Sequence, residues 1–458
     1  MLRKIFLPTI LAILAYGFWI SPDFKEISAG VAIFLFGMIS LEEGFKAFSG
    51  GTLEKILQKS TDKLYKSIGF GIITTTIMQS SSLVSVLTIS FLGAGLIGLA
   101  QGIGIVFGAN IGTTTGAWLV AGFGLKVKIS AYAMPMLVFG VILIFQKAKS
   151  LKGIGYILAG LGFLFLGIHY MKDGFEAFKS TIDLASFGGT GIKYLFIFTG
   201  IGVFATVVMQ SSHATLVLII TALAVGQISY ENALALAIGA NVGTTITAIL
   251  GAMSSNIDGK RLAGAHLIFN VVTALIAIIF MQQIMHMVDF TSHAVGIADD
   301  DYTLKLAVFH TIFNVIGVAV MIPFIDKLVT FLDSILKDSD VKTDKNYDSA
   351  KYLNDSVLEL PATAMAAITR ETRHLYDNAF EIIAHGLNLK RSNIVSSKDL
   401  DEVVNEPYSQ SAIDIDDFYN RKIKGIYGEI IDFSTKAPVS YTHLRAHETP
   451  EHLVCRLL

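Results

Sequence analysis

Uncharged segments restrict the fold of this chain more than any other feature. No Asp, Glu, Lys or Arg occurs between Lys66 and Lys126, between Lys193 and Glu231, or within residues 232–257. An ionised side chain is costly in hydrocarbon, so runs of this kind are typical of membrane-spanning segments. The chain is 16% charged, whereas soluble domains are about 25% charged. We therefore expect a polytopic, all-α membrane protein.

Three groups of residues recur in the same order along the chain. Residues 29–48 resemble residues 159–178, Met78-Gln79-Ser80-Ser81 recurs at 209–212, and Gly108-Ala-Asn-Ile-Gly-Thr-Thr114 recurs as residues 239–245. The offset is 130 residues for the first match (29 to 159) and 131 for the others (78 to 209, 108 to 239). Three matches in one register indicate an internal duplication.

Each copy contains four apolar elements. They cover residues 28–50, 67–98, 101–121 and 127–146 in the first copy, and 155–178, 195–226, 231–251 and 261–286 in the second. The element that holds Gln-Ser-Ser exceeds the roughly 20 residues that a span requires, and its middle is polar. We interpret it as a re-entrant helical hairpin with Gln-Ser-Ser at its tip. Two ordinary spans joined by a short loop, or one broken helix, are the alternatives.

The placement of basic residues predicts opposite orientations for the two copies. If the N-terminus is cytoplasmic and each hairpin crosses nothing, Lys147–Lys152 and Lys260-Arg261 lie inside, and Asp299–Asp301 lies outside. Each copy then crosses the bilayer an odd number of times, which gives two inverted-topology repeats. Secondary transporters built in this way bind their solute near the bilayer midplane.

These patterns divide the chain into segments. The segments are an N-terminal span (1–27), transmembrane repeat 1 (28–150), transmembrane repeat 2 (151–290), a final span (291–335), a small C-terminal helical domain (346–433) and a tail (434–458). The N-terminal segment lacks a small-residue cleavage site before Ser21, so we interpret it as a span and not as a signal peptide. The tail loses helical periodicity, and we interpret it as non-native sequence joined to a truncated domain.

The duplicated Gln-Ser-Ser motifs predict an anion site. At a hairpin tip, Ser81 or Ser82 would cap a helix starting near Leu83, and Ser212 would cap one starting near Ala214. The free N–H groups and positive dipole ends of two such helices can hold an anion without any Lys or Arg.

The second motif predicts a cation site nearby. Gly112 and Gly243 favour helix breaks, and the carbonyls released there could bind a small cation. The side-chain oxygens that would join them belong to Asn110, Thr113, Thr114, Asn241, Thr244 and Thr245. The alternative is that these small residues serve close packing between membrane helices.

Other candidate residues carry weaker signals. Glu42 and Glu43 lie near a predicted membrane end, as interfacial residues do. His169, His266 and His310 lack metal-ligand spacing and fit satisfied polar residues within a helix bundle. No nucleophile–base pairing and no phosphate loop for a nucleotide is present, so we do not expect an enzyme. Nothing in the sequence indicates a nucleic-acid partner, and it does not predict the oligomeric state.

The two Gln-Ser-Ser motifs, each followed by Gly-Ala-Asn-x-Gly-Thr-Thr, resemble the type II sodium–phosphate cotransporter family over residues 28–330. The resemblance implies symport of inorganic phosphate into the cell by alternating access, with sodium as the co-transported ion. It also implies that the Gln-Ser-Ser residues contact phosphate, namely Gln79, Ser80, Ser81, Ser82, Gln210, Ser211 and Ser212. Where the family has a third Ser in the second motif, this chain has His213. We assign His213 to the sodium site, where it could change pH response or ion stoichiometry; a steric substitution facing away from the ligand is the alternative.

The C-terminal domain resembles the PhoU-like helical domain of bacterial members of that family. The resemblance rests on Tyr352-Leu353-Asn354, Pro361-Ala362 and Arg370-Glu371. It implies an inner-membrane (plasma-membrane) protein, and the distribution of basic residues places the C-terminal domain in the cytoplasm. A symporter of another anion (sulfate or a carboxylate), a membrane-anchored phosphate-signalling adaptor, and a passive channel are the alternatives.

Overall fold

The computed structural model describes residues 2–49, 63–125, 129–179, 184–337, 349–387, 389–395, 403 and 419–437. Within these residues the regular elements are helices. Seven of the described helices are long and apolar enough to cross a membrane. This result confirms the all-helical membrane class.

The N-terminal half contains seven α-helices in its described part. They are α1 (Leu2–Ile20), α2 (Pro22–Ser49), α3 (Leu64–Met78), α4 (Ser81–Gly93), α5 (Leu99–Trp118), α6 (Ile129–Ile144) and α7 (Lys149–Lys179). A π-helical segment, Leu119–Gly124, extends α5, and a short 3₁₀ helix, Leu184–Phe187, follows α7.

Eight α-helices follow in the described part of the chain up to residue 335. The helices are α8 (Ile192–Met209), α9 (Ser212–Ala224), α10 (Tyr230–Gly243), α11 (Thr245–Ala252), α12 (Ile257–Ile279), α13 (Met281–Ala294), α14 (Tyr302–Met321) and α15 (Ile325–Ile335). A 3₁₀ turn, Ile322–Phe324, joins the last two. The C-terminal residues form a 3₁₀ helix (Asp355–Glu359), α16 (Pro361–Gly386), α17 (Arg391–Ile394), a π-helical turn (Asn420–Lys424) and α18 (Gly425–Lys436).

The boundary predicted at residue 27 falls inside α2. Ser21 interrupts the helices, and its Oγ accepts a hydrogen bond from Phe24 N at 3.1 Å. Pro22 at the first helical position, with Asp23 after it, completes a helix start that the sequence displays. The predicted boundary at residue 290 likewise falls inside α13. The predicted tail lies outside the described residues from residue 438 onward.

Helices α2 and α7, which begin the two copies, pack against each other in antiparallel directions. A Cβ added to Gly30 would lie 2.8 Å from Gly167 O, one on Gly37 would lie 2.7 Å from Gly160 O, and one on Gly44 would lie 2.9 Å from Gly153 O. Glycines spaced seven residues apart lie on one helix face, so the two backbones approach closely along their length. Because residue numbers rise along one helix as they fall along the other, α2 and α7 are antiparallel.

The described chain forms two compact units. The first contains residues 1–85, 100–250 and 263–329, and the second contains residues 86–99, 251–262 and 330–458, in both cases without the residues that are not described. The first unit has a continuous apolar core that includes the fully buried side chains of Phe34, Leu164 and Phe309.

The second unit has its own apolar core. Ile368 and Leu375 of α16 pack there with Ile426, Ile430 and Phe433, and Ala94 joins them. Helices α16 and α18 therefore pack against each other through their apolar faces. Polar contacts hold residues 86–99 in the same unit, since Ser90 Oγ donates to Ser356 O at 2.7 Å.

Candidate functional site

Both Gln-Ser-Ser motifs occupy breaks between helices, as the sequence predicts. Helix α3 ends at Met78 and α4 begins at Ser81, while α8 ends at Met209 and α9 begins at Ser212. Gln79 and Gln210 adopt the left-handed conformation with φ of 52°, and among the described non-glycine residues they alone have positive φ. This conformation is costly for an L-residue with a long side chain, and such strain is concentrated at functional sites.

The N-caps of the following helices lie one residue earlier than the sequence predicts. Ser80 Oγ accepts from Leu83 N at 3.3 Å, and Ser211 Oγ accepts from Ala214 N at 3.1 Å. The predicted caps were Ser81 or Ser82 and Ser212. The reason for the shift is that one left-handed residue is enough to end the preceding helix, so the next helix begins immediately after one extended serine.

The two motifs line a single cavity of about 250 Å³. Its wall includes Gln79, Ser80, Ser81 and Ser82 from the first motif, Gln210, Ser211, Ser212 and His213 from the second, and Thr113, Met209, Leu35, Met38, Ile39 and Glu42. The N-terminal turns of α4 and α9 therefore open onto the same space. A water molecule occupies roughly 30 Å³ in the liquid, so the cavity has room for a small ion and several waters.

The charge of the cavity wall comes from Glu42 and not from any Lys or Arg. Glu42, which the sequence analysis treats as interfacial, lines the cavity, and its Oε1 lies 2.7 Å from Lys46 Nζ. The sequence interpretation missed this residue because hydropathy places Glu42 near the end of a span without showing which neighbouring helix it faces. Free backbone N–H groups and hydroxyls remain as the donors for an anion.

The two glutamines differ in how their side chains are held. Gln79 Nε2 donates to Thr76 O at 2.6 Å and to Thr115 Oγ1 at 3.1 Å. Gln210 is exposed, and no described residue accepts a hydrogen bond from its amide. Position 246, the equivalent of Thr115 by the 131-residue offset, is Ile246, which offers no hydroxyl.

The residue that follows each Gln-Ser-Ser motif, Ser82 or His213, contacts the other copy. Ser82 Oγ lies 3.2 Å from Thr247 Oγ1. At the equivalent pair, His213 and Gly116, a Cβ added to the glycine would lie 2.3 Å from His213 Cε1. The pair of Ser82 and Thr247 thus corresponds to a pair in which the larger residue, His213, faces a glycine, Gly116. His213 is buried, its Nδ1 lies 3.3 Å from Gln79 O, and its Nε2 has no partner among the described residues.

The predicted breaks at Gly112 and Gly243 are largely absent. Helix α5 continues through Gly112 to Trp118, and at the second position Thr244 keeps a helical conformation between α10 and α11. The break expected at Gly112 is therefore absent, whereas α10 does end at Gly243 and α11 begins at Thr245. Both glycines allow close helix packing: a Cβ on Gly112 would lie 2.7 Å from Ile72 O, and one on Gly243 would lie 2.8 Å from Val203 O.

Most residues assigned to the cation site lie away from the cavity. Thr113 and His213 line it, whereas Asn110, Thr114, Thr244 and Thr245 donate to backbone carbonyls of their own helices. Asn241 Nδ2 donates to Asn314 Oδ1 at 2.8 Å, and its Oδ1 lies 3.2 Å from His310 Nε2.

The buried histidines are only partly satisfied. Among the described residues, Nδ1 of His310 and both ring nitrogens of His266 lack hydrogen-bond partners. The expectation that these residues are satisfied within the bundle is therefore wrong for His266. No group of three or more His, Cys, Asp or Glu that could hold a metal occurs in the described part of the chain.

Comparison with known proteins gives one family. Residues 33–173 and 191–299 match the family model described as Na+/Pi-cotransporter. The chain is 29% identical over 366 residues to "Putative inorganic phosphate export protein YjbB" of Escherichia coli (strain K12), and this match covers 79% of the chain and 64% of that protein. It is 27% identical over 260 residues to "Uncharacterized protein YqeW" of Bacillus subtilis (strain 168), covering 56% of the chain and 82% of that protein. The chain thus spans less than two thirds of the length of YjbB. No solved structure matches the chain significantly.

Proposed function

Because this chain belongs to the Na+/Pi-cotransporter family, we propose that it is a secondary transporter that moves inorganic phosphate together with sodium. Its apolar helices make it a multi-pass membrane protein. The observation that carries the proposal is the cavity of about 250 Å³ that both Gln-Ser-Ser motifs line. Two helix N-termini and their serine hydroxyls supply donors for a small oxyanion in that cavity.

Phosphate binds, in this proposal, between residues 79–82 and residues 210–212. The N–H groups at the starts of α4 and α9 donate to its oxygens, and the glutamine amides and serine hydroxyls complete the shell. Sodium binds beside it, where Thr113 and the carboxylate of Glu42 supply hard oxygen ligands. In this proposal His213 supports the Gln79 backbone, because its Nδ1 lies 3.3 Å from Gln79 O.

Alternating access follows from two inverted repeats, each with a re-entrant hairpin at Gln-Ser-Ser. The antiparallel packing of the equivalent helices α2 and α7 supports this part of the proposal. The contacts of Ser82 with Thr247 and of His213 with Gly116 also support it, because each motif meets the opposite copy. A rocking movement of one repeat against the other would then expose the cavity to each side in turn.

The direction of transport has two candidates. If phosphate transport is coupled to an inward sodium gradient, the protein imports phosphate. In that case it lies in a bacterial inner membrane with its C-terminal unit in the cytoplasm. The name of the relative YjbB favours phosphate export as the second candidate.

Phosphate flux measured with the purified chain in liposomes distinguishes import from export. We expect labelled phosphate to enter liposomes under an inward sodium gradient, and loaded phosphate to leave under an outward one. Sulfate and dicarboxylates should not replace phosphate as substrates. Equal flux when potassium replaces sodium would remove the coupling, and sodium-independent efflux alone would favour export.

Matched variants connect the flux to the cavity. Gln79→Ala and Gln210→Ala should each abolish phosphate uptake. Gln146→Ala is the control, since Gln146 is an exposed glutamine whose amide donates to Ile142 O, away from the cavity. Normal uptake by both cavity variants would assign the motifs to packing.

A further inference from the structure

The second unit contains a larger open pocket that the transport proposal does not use. It measures about 740 Å³ and is lined by nine residues, namely Lys351, Tyr352, Thr369, Arg370, Thr372, Arg373, His374, Tyr376 and Asp377. We call this the C-terminal pocket. All of these residues lie within the second unit.

The pocket has an excess of positive charge. Lys351, Arg370 and Arg373 form no ion pair with an acidic side chain of the described chain. Asp377 is the one acidic lining residue, and Arg391 pairs with its carboxylate. Three cations thus face the pocket without a direct ion pair to a described acid, which favours an anionic ligand.

A buried carboxylate holds one of these cations in place. Glu371 is fully buried, and its Oε2 accepts from the backbone N–H groups of Lys351 and Tyr352, each at 2.8 Å. Its Oε1 lies 2.7 Å from His374 Nδ1, and His374 Nε2 lies 2.9 Å from Lys351 Nζ. An ammonium group can only donate, so Nε2 accepts and Nδ1–H donates to Glu371. This chain of hydrogen bonds fixes Lys351 before any ligand arrives.

The arginines and tyrosines give the pocket its shape. The Arg370 guanidinium lies 5.8 Å from the centre of the Tyr352 ring, and Arg373 is exposed beside it. Guanidinium groups bind phosphate oxygens in pairs and stack on flat rings. The Tyr376 ring is 51% exposed and leaves a flat apolar surface for an organic group.

From these observations we propose that the C-terminal pocket binds a soluble organic phosphate with several negative charges, such as a nucleoside polyphosphate. The volume exceeds what a single phosphate fills, and it lies in the usual range for small-molecule pockets, about 300–1,000 Å³. The cations hold the phosphate groups, and the tyrosines contact the organic part.

Equilibrium binding to the full chain in neutral-lipid nanodiscs tests the proposal, with magnesium-free ATP as the probe. We expect ATP to bind, to bind more weakly as salt rises, and to bind at least about tenfold more tightly than pyrophosphate or adenosine. Absence of ATP binding, or equal affinity for pyrophosphate, would overturn the assignment. Nanodiscs with phosphatidylglycerol separate the lipid source: loss of ATP binding there would mean that lipid headgroups occupy the pocket.

Variants at two exposed lining residues, and one control variant, complete the experiment. Arg373→Gln and Lys351→Gln should each weaken ATP binding about tenfold, because each removes one charged contact to phosphate. Lys436→Gln removes the same charge from α18, outside the pocket, and should leave ATP affinity unchanged. Equal affinities across all three variants would contradict the proposal.

Discussion

The two left-handed glutamines should respond differently to the same substitutions, because only one has a bonded amide. Gln79→Ala removes hydrogen bonds of 2.6 Å and 3.1 Å to Thr76 O and Thr115 Oγ1. At about 1 kcal/mol each, this loss is about 2 kcal/mol. Gln79→Gly loses the same bonds but relieves the left-handed backbone, worth about 1 kcal/mol, so its net loss is about 1 kcal/mol.

The Gln210 variants should be more stable than the corresponding Gln79 variants. Gln210→Ala loses no hydrogen bond to a described residue and keeps the strained φ of 52°, so its stability should equal that of the parent. Gln210→Gly should be more stable than the parent by about 1 kcal/mol. We therefore expect the order Gln210→Gly, then Gln210→Ala with the parent, then Gln79→Gly, then Gln79→Ala.

Thermal unfolding of the purified variants in detergent, followed by intrinsic fluorescence, measures this order. Uptake in liposomes is measured in parallel and should be lost in all four variants, since each lacks an amide at the cavity. The reasoning is refuted if alanine and glycine are equivalent at both positions, or if the Gln79 and Gln210 variants lose equal stability.

Two further predictions concern glycines at close contacts. Gly116→Ala should lower the free energy of unfolding by about 1–3 kcal/mol, because its Cβ would lie 2.3 Å from His213 Cε1. Adding His213→Ser should restore most of this stability. A single variant as stable as the parent would show that the contact is loose. Gly108→Ala should sharply lower the unfolding temperature, because its Cβ would lie 2.0 Å from Ile68 O. Gly69→Ala, whose Cβ would have no atom within 4 Å, should raise the free energy of unfolding by up to about 1 kcal/mol. Similar effects at both positions would contradict this packing.

Sequence reasoning found the features that repeat. The 131-residue offset identified both Gln-Ser-Ser motifs, and the structure places both at helix breaks that line one cavity. A polar tripeptide inside an uncharged segment is a strong local signal, because few residues can end a helix there. In the C-terminal domain, Ile368 and Leu375 stand seven residues apart, and this helical spacing predicts the face that is buried in the structure.

Features that depend on neighbouring helices were missed or misinterpreted. Gly112 and Gly243 have the same local sequence whether they end a helix or admit a neighbour, and only the approach of α3 and α8 decides between these roles. The sequence predicts Glu42 only as a residue near the membrane surface, because its contact with the cavity depends on how α2 packs. The N-cap shift depends on a single dihedral angle at each glutamine, which no residue preference favours.

The most direct test of the central claim is an electron cryomicroscopy structure of the chain prepared with phosphate and sodium. We predict tetrahedral density in contact with Ser80–Ser82 and with Ser211–Ser212 at once, and no such density in a matched sample without phosphate. Phosphate density bound to one motif alone, or located outside this cavity, would contradict the account.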